Sequence, residues 1–173
     1  MERKRLRSWK DDAFEQAIQI YRTSFPFHEQ RQDESQRKIL SHEDYHFELL
    51  YEADVLVGLI CFWQWGSMIY VEHFCMAPEH RGKGLGSQAL QMLKETGKTV
   101  ILEIDPPVDE ISIRRKGFYE RCGFVKNPYA HVHPPYHDGY QGHELVVMSS
   151  PVALEQPQYD AFARYLAQTV MSQ

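Results

Sequence analysis

A chain of 173 residues suits one domain, and 43% apolar with 25% charged residues is a globular mix, so residues 1–173 read as a single domain. The formal charge of −5 argues against a nucleic-acid partner, which asks for a basic surface, and leans toward a cationic substrate. No window approaches the roughly 20 apolar residues that span a bilayer, and no apolar run of the signal-peptide kind follows the basic start at Arg3, Lys4, Arg5 and Arg7. Three widely spaced cysteines, Cys61, Cys75 and Cys122, imply no disulfide framework. A reducing, cytoplasmic setting is the expectation.

The first strand is expected around Leu6. Asp11 and Asp12 can cap a helix whose apolar face is Phe14, Ala17, Ile18 and Tyr21. It should stop before Phe25-Pro26, because the residue before proline disfavours helical angles. From Glu29 to Ser41 the chain is polar, and either an exposed helix or a mobile loop fits it. Then come three strands, His46–Tyr51, Val55–Trp65 and Met68–Met76, with a turn at Gly66-Ser67; an antiparallel meander connects them most simply. Gly58 inside the second strand marks a bulge.

Helical periodicity returns over Gly84–Thr96, with Leu85, Ala89, Met92 and Leu93 on one face and Gly97 as a stop. Thr99–Ile104 is a β-branched strand closed by Pro106-Pro107. A helix over 109–122 is capped by Asp109 and stopped by Gly123. Phe124 begins a short strand or turn, and residues 127–142, rich in Pro, His, Tyr and Gly, read as an irregular loop. His143–Ser149 is the last strand, and a final helix runs from about Pro157 to Val170 with Phe162, Leu166 and Val170 aligned. This order predicts one mixed α/β sheet, mostly antiparallel, flanked by helices.

Arg81-Gly82-Lys83-Gly84-Leu85-Gly86 lies between an apolar strand and an amphipathic helix. A helix start carries unsatisfied N–H groups and partial positive charge, and glycines let phosphate oxygens approach the backbone. A pyrophosphate suits such a place, with Arg81 and Lys83 adding charge at its rim. The dinucleotide fingerprint fails here, since Ser87 or Ala89 stands where its third glycine belongs. The P-loop fails too, because Gly84 follows Lys83 where Ser or Thr is required.

The same hexapeptide matches the R/Q-x-x-G-x-G/A motif of the GNAT N-acetyltransferase superfamily. Phe74-Cys75-Met76-Ala77-Pro78-Glu79-His80 resembles that family's preceding strand and loop, and Phe118-Tyr119-Glu120-Arg121-Cys122-Gly123-Phe124 resembles its F-Y-x-x-x-G-F segment. The resemblance implies a central sheet splayed between two parallel strands, here those ending at Met76 and Ile104, with acetyl-CoA in the gap as acyl donor. It implies that the backbones of Cys75 and Met76 pair with the pantetheine arm and that the amides of Gly82–Gly86, with Ser87, cradle the pyrophosphate. Tyr119 matches the tyrosine placed beside the cofactor sulfur, where a phenol can protonate the leaving thiolate. Ser112 stands where many members have an asparagine that contacts the cofactor. Arg114, Arg115 and Lys116 either meet the nucleotide or form a solvated face.

The acceptor implied is a primary amine, on a small molecule or a peptide. An aliphatic ammonium, with a pKa of roughly 10.4, must lose a proton before it attacks. Glu72 is the first candidate base, since a carboxylate inside an apolar strand is costly unless paired or used. Glu103 and then His73 follow. Alternation puts Glu72 with Tyr70 and Phe74 on one face and His73 with Val71 and Cys75 on the other. The loop from His131 to His137 does not follow a zinc spacing, so no metal is expected; His133 and Tyr136 are instead candidates to line the acceptor pocket. Two rivals remain open: a non-catalytic acyl-CoA sensor, and a metalloprotein built on His131, His133, His137 and His143. A monomer and a homodimer are both compatible with the sequence.

Overall fold

The computed structural model describes residues 1–173. In chain order the strands are β1 (Glu2–Leu6), β2 (Tyr45–Glu52), β3 (Val55–Trp65), β4 (Met68–Met76), β5 (Thr99–Ile104), β6 (Val125–Lys126), β7 (His131–His133) and β8 (His143–Ser150). The helices are α1 (Phe14–Ser24), α2 (Asp33–Ile39), α3 (Leu85–Lys94), α4 (Glu110–Arg121) and α5 (Gln156–Tyr165), the last extended by a wide turn over Leu166–Val170. The sheet runs β1-β2-β3-β4-β5-β8-β6, and β7 pairs with β8. Every pairing is antiparallel except β4 with β5. No helix is long and apolar enough to cross a membrane.

The apolar patterning sorts the helices onto two faces. Phe14, Ala17, Ile18 and Tyr21 of α1, Ile39 of α2, and Phe162, Leu166 and Val170 of the C-terminal helix cover one face, against Leu49, Leu59, Trp63 and Tyr70. Ala89, Leu90 and Leu93 of α3 cover the other, against Ile60, Ile69, Val71, Val100 and Leu102. β3 lies between β2 and β4, and its residues Leu56–Trp63 are all buried, which explains its continuous apolar run. The polar stretch after α1 is neither wholly exposed nor a simple loop. It forms a short turn, Phe27–Glu29, and then α2, with Arg31, Gln36 and Ile39 buried. The loop over 127–142 also contains more order than its composition suggests, since His131–His133 pair with β8.

Two irregularities in the meander matter. Between β2 and β3 the register slips at Val57, next to Gly58. Between β3 and β4, Cys61 pairs with His73 and Phe62 with Val71, which leaves Glu72 as the extra residue of a bulge. The alternation expected for β4 therefore breaks. Tyr70 and Cys75 pack with one core cluster and Ile69, Val71, Phe74 and Met76 with the other. Glu72 and His73 both turn to the first cluster, where they meet Trp63 and Tyr21.

Gly58 permits the close approach of β3 and β4 at the end of that pairing. A Cβ there would lie 2.5 Å from the Cys75 carbonyl oxygen and 3.0 Å from Met76 Sδ. Gly58→Ala should therefore cost about 1–3 kcal/mol, the usual range for overpacking, and lower the midpoint of urea unfolding. An unchanged midpoint would mean that β3 and β4 can separate here without penalty.

Candidate active site

The two parallel strands pair at Met68–Thr99, Ile69–Val100, Tyr70–Ile101 and Val71–Leu102, and no further. Beyond that point β4 continues to Met76 on β3, and β5 continues to Ile104 on β8. The strands part because each follows a different neighbour, and the bulge at Glu72 sits at the parting. Glu72 and Glu103 are the first residues past the last pair. A cleft of about 1130 Å³ opens there, lined by residues from both faces of the sheet.

On the α3–α4 side the lining includes Phe74, Met76, Arg81, Gly82, Gly84, Gly86, Ser87, Arg114, Arg115, Phe118 and Tyr119. Gly82 and Gly84 have φ of +73° and +77°, the left-handed region that side chains disfavour. Gly84 is the N-cap of α3 and caps it with no side chain, so the first-turn amides are left to an outside acceptor. A Cβ at either glycine would meet nothing within 4 Å, so space for such an acceptor exists directly over the backbone. Arg81 is steadied by donating from Nε to the Met76 carbonyl at 3.0 Å. Open amides, a helix N-terminus and arginines on one wall fit an anionic diphosphate.

A model of the acetyltransferase (GNAT) family matches residues 6–124. The chain belongs to the GNAT acetyltransferase family. Its structure is similar to that of a Bacteroides thetaiotaomicron protein assigned to the same family, with 26% identity, 100% of this chain and 99% of that one covered, and a TM-score of 0.92. At lower identity the fold is shared with an aminoglycoside 6'-N-acetyltransferase solved with coenzyme A (16%; 90% and 100% covered; TM-score 0.60). It is also shared with the ribosomal-protein-S18-alanine N-acetyltransferase of Escherichia coli (18%; 89% and 95% covered; TM-score 0.57). In sequence the chain resembles YjbC of Bacillus subtilis (strain 168), itself assigned as an acetyltransferase, at 33% identity over 69 residues. That stretch is 38% of this chain and 35% of that relative's length.

Within this GNAT chain, most residues singled out from the sequence meet in the one cleft. Glu72, Cys75, Met76, Arg81, Gly82, Gly84, Gly86, Ser87, Glu103, Tyr119, His133 and Tyr136 all line it. Three do not. Lys83 is exposed outside the lining, and Leu85 packs into the core beneath α3. Ser112 is buried, and its hydroxyl is spent in the capping box of α4. It accepts from the Val108 and Asp109 amides and donates to the Asp109 carbonyl, each at 3.1 Å. The expected cofactor contact of Ser112 is thus corrected to a local capping role. The basic run of α4 divides: Arg114 and Arg115 line the cleft, Arg115 also pairing with Asp105 at 2.7 Å, whereas Lys116 pairs with Glu120.

Tyr119 packs edge-on against Phe118 and Phe124 and still lines the cleft. Burial pushes its phenol up to about 12, with Arg115 opposing, so it keeps its proton.

The opposite wall is formed by Ser24–Glu29 and by residues from His133 to His143. Glu72 is fully enclosed. It accepts from Arg31 Nη2, Trp63 Nε1 and the Tyr136 hydroxyl, each at 2.8 Å. Burial alone would raise its pKa; Arg31 first, then His73, Trp63 and Tyr136, hold it below the ordinary carboxylate range. Glu103 behaves similarly: burial pushes it up, and His131, His133 and Tyr70 bring it net downward. Tyr70 donates to it at 2.5 Å and His131 Nε2 contacts its other oxygen.

Two of the cleft histidines, His73 and His133, are held in defined tautomers. His73 Nε2 lies 2.7 Å from the Glu29 carbonyl, which can only accept, so the proton is on Nε2 and the buried Nδ1 has no partner. Burial lowers the pKa of His73, with Glu72 opposing, so the ring is neutral. His133 Nδ1 lies 2.6 Å from the Pro134 carbonyl, which leaves Nε2 with its lone pair. That Nε2 is buried, unpartnered, and 4.0 Å from Glu103 Oε2.

Arg31 is the residue that sequence reasoning missed. Besides Glu72 it donates to the Val170 carbonyl at 2.7 Å and to Ser35 Oγ at 3.2 Å, and its guanidinium stacks over Trp63 and Tyr136. The one signal available was indirect: a carboxylate inside β4 demands a cation somewhere.

Removing one partner of a buried ion pair strands the other charge, at a cost of about 3–5 kcal/mol. Arg31→Ala should lose that much in urea unfolding at pH 7. With its pKa depressed in the folded state, Glu72 stabilises wild type above its unfolded value of roughly 4.3. That contribution disappears as pH falls through the folded value. Without Arg31, burial dominates and the sign reverses. The gap between variant and wild type should therefore narrow from pH 7 toward pH 5; a gap constant across that range would refute the ionised pair.

Proposed function

We propose that this protein transfers an acetyl group from acetyl-CoA to a primary amine by direct attack. The observation that carries the reading is the fork between β4 and β5 beside the uncapped start of α3. One wall offers free backbone groups and arginines to a diphosphate-bearing donor, and the other offers carboxylates and imidazoles to an amine. The aminoglycoside acetyltransferase that shares the fold was solved with coenzyme A, which supports the donor. Acceptors named for the fold relatives, an aminoglycoside and an alanine of ribosomal protein S18, are both acetylated on nitrogen.

In this reading the amine nitrogen bonds to the thioester carbonyl carbon, the C–S bond breaks, and the electron pair leaves on sulfur. Tyr119, protonated throughout the neutral range, donates to the departing thiolate. The proton lost by the amine goes to a base on the opposite wall. Glu72 was the first candidate from sequence. Three donors and a lowered pKa make it a poor acceptor of a further proton, and we assign it instead as fixed negative charge opposite the ammonium. Glu103, with its own donors, is treated likewise. The base we propose is His133, whose Nε2 lone pair is fixed by the Pro134 carbonyl and claimed by no other group. Burial raises the Cys75 thiol, which disfavours an acyl-enzyme on it.

Acetyl-CoA at about 100 times its dissociation constant should stabilise the fold by roughly 2.7 kcal/mol, read as a rise in melting temperature; no rise would end this reading. Tyr119→Phe should lower kcat on the order of 100-fold while leaving the acetyl-CoA dissociation constant unchanged. His133→Gln should lower kcat on the order of 100-fold while leaving the acetyl-CoA dissociation constant unchanged. Wild-type turnover in that variant would return the base to Glu72 or to a water it orients, and tight donor binding without turnover on any amine would mark a sensor.

A further inference from the structure

Three side chains at the acceptor-side mouth of the cleft take no part in the proposed acetyl transfer. His28 and Glu29 sit in the turn Phe27–Glu29, and His143 opens β8. Each brings a ligating atom to within 4.8 Å of the others. His28 Nε2 is 3.7 Å from Glu29 Oε1, and the His28 and His143 rings are 5.9 Å apart at their centres. Asp105 Oδ1 lies 3.7 Å from His143 Nε2. These separations are too long for hydrogen bonds, so the converging nitrogens and oxygens are left without close partners.

The convergence is built rather than incidental. More than a hundred residues separate the two segments, and tertiary contacts hold both in place. The Glu29 carbonyl is fixed by His73 at 2.7 Å, and the Phe27 carbonyl by His137 Nε2 at 3.0 Å, with the His137 ring stacked on Phe27. On the other side, β7 holds His143 through its pairing with His133. The backbone that carries the trio is thus held in place by contacts outside it.

Its donor set is specific. Two imidazole nitrogens with one carboxylate oxygen suit borderline divalent transition ions, whereas magnesium and calcium ask for oxygen ligands throughout. Zinc lies roughly 2.0–2.2 Å from such ligands. Tetrahedral ligands at that range stand about 3.3–3.6 Å apart, close to the 3.7 Å seen here. We infer that His28, Glu29 and His143 form a binding site for a divalent transition-metal ion, of which Zn²⁺ is the type, with Asp105 as a nearby neutralising carboxylate. The site differs from the one weighed on the His131–His137 loop, sharing only His143 with it. His28, Glu29 and His143 belong to the wall formed by Ser24–Glu29 and residues 133–143, so a bound ion stands at the acceptor entrance.

Metal-free protein titrated with zinc sulfate by calorimetry should show one site per chain, and magnesium sulfate should show none. The side chains of His28 and His143 are both about half exposed (48% and 43%), so neither His28→Ala nor His143→Ala disturbs the core. Each should weaken zinc at least tenfold and the double variant should abolish binding, with acetyl-CoA affinity unchanged in all three. No zinc binding, an equal response to magnesium, or full zinc affinity in the double variant would overturn the site. The result is independent of catalysis, because its readout is metal affinity alone.

Discussion

A carboxylate with no solvent contact must be neutralised from within the protein, and much of this molecule is arranged around how Glu72 is neutralised. Arg31 supplies the charge, and in doing so it draws together parts of the chain that lie far apart in sequence. Through Glu72 it touches β4, through the Val170 carbonyl it touches the end of the C-terminal helix, and through its stacked faces it touches Trp63 on β3 and Tyr136 on the loop before β8. Its own amide donates to the Tyr21 hydroxyl of α1, which also contacts His73. Glu72, Arg31, Trp63, Tyr136, Tyr21 and His73 therefore form one connected, largely buried polar network. Such a network resists piecemeal loosening, since releasing any member leaves a buried group unpaired.

The bulge and the fork work together. In a regular strand Glu72 and His73 would face opposite ways, and one of them would be lost to the far side of the sheet. The extra residue lets both turn to the same face. It does so at the position where β4 and β5 cease to pair, so that the side chains gathered by the bulge stand at the entrance opened by the fork. A sheet that remained paired would have satisfied its own backbone groups; the parted one keeps them for something else.

The legible features were those encoded within a few residues. The glycines of the α3 loop, the capping aspartate of α4, the Tyr119 segment and the apolar run of β3 all state their roles locally, and the order of elements followed from turn residues and periodicity. What could not be read came from distance in the chain. Arg31 lies in a stretch with no apolar period, and nothing near it indicates that it will be buried against a glutamate 41 positions later. The bulge at Glu72 has no glycine to announce it and arises from the pairing of β3 with β4. Ser112 shows the opposite error. Its alignment with a cofactor-contacting position suggested one role, while the aspartate three residues before it, visible in the sequence, already offered another as a capping-box partner.

This difference maps onto the two walls of the cleft. The donor wall is made from two continuous stretches, the end of β4 running through the loop into α3, and α4. Local sequence suffices to build it. The acceptor wall is assembled from the turn after α1, the segment around β7 and the start of β8, held by hydrogen bonds from His73 to the Glu29 carbonyl and from His137 to the Phe27 carbonyl. Because those anchors use backbone carbonyls, the side chains between them can vary without dismantling the wall. Residues such as His28 and His143 are free to differ while the turn and the strand keep their places. A fold of this construction can keep its glycine loop constant while the facing wall changes, because the two are carried by parts of the chain whose structural constraints scarcely overlap.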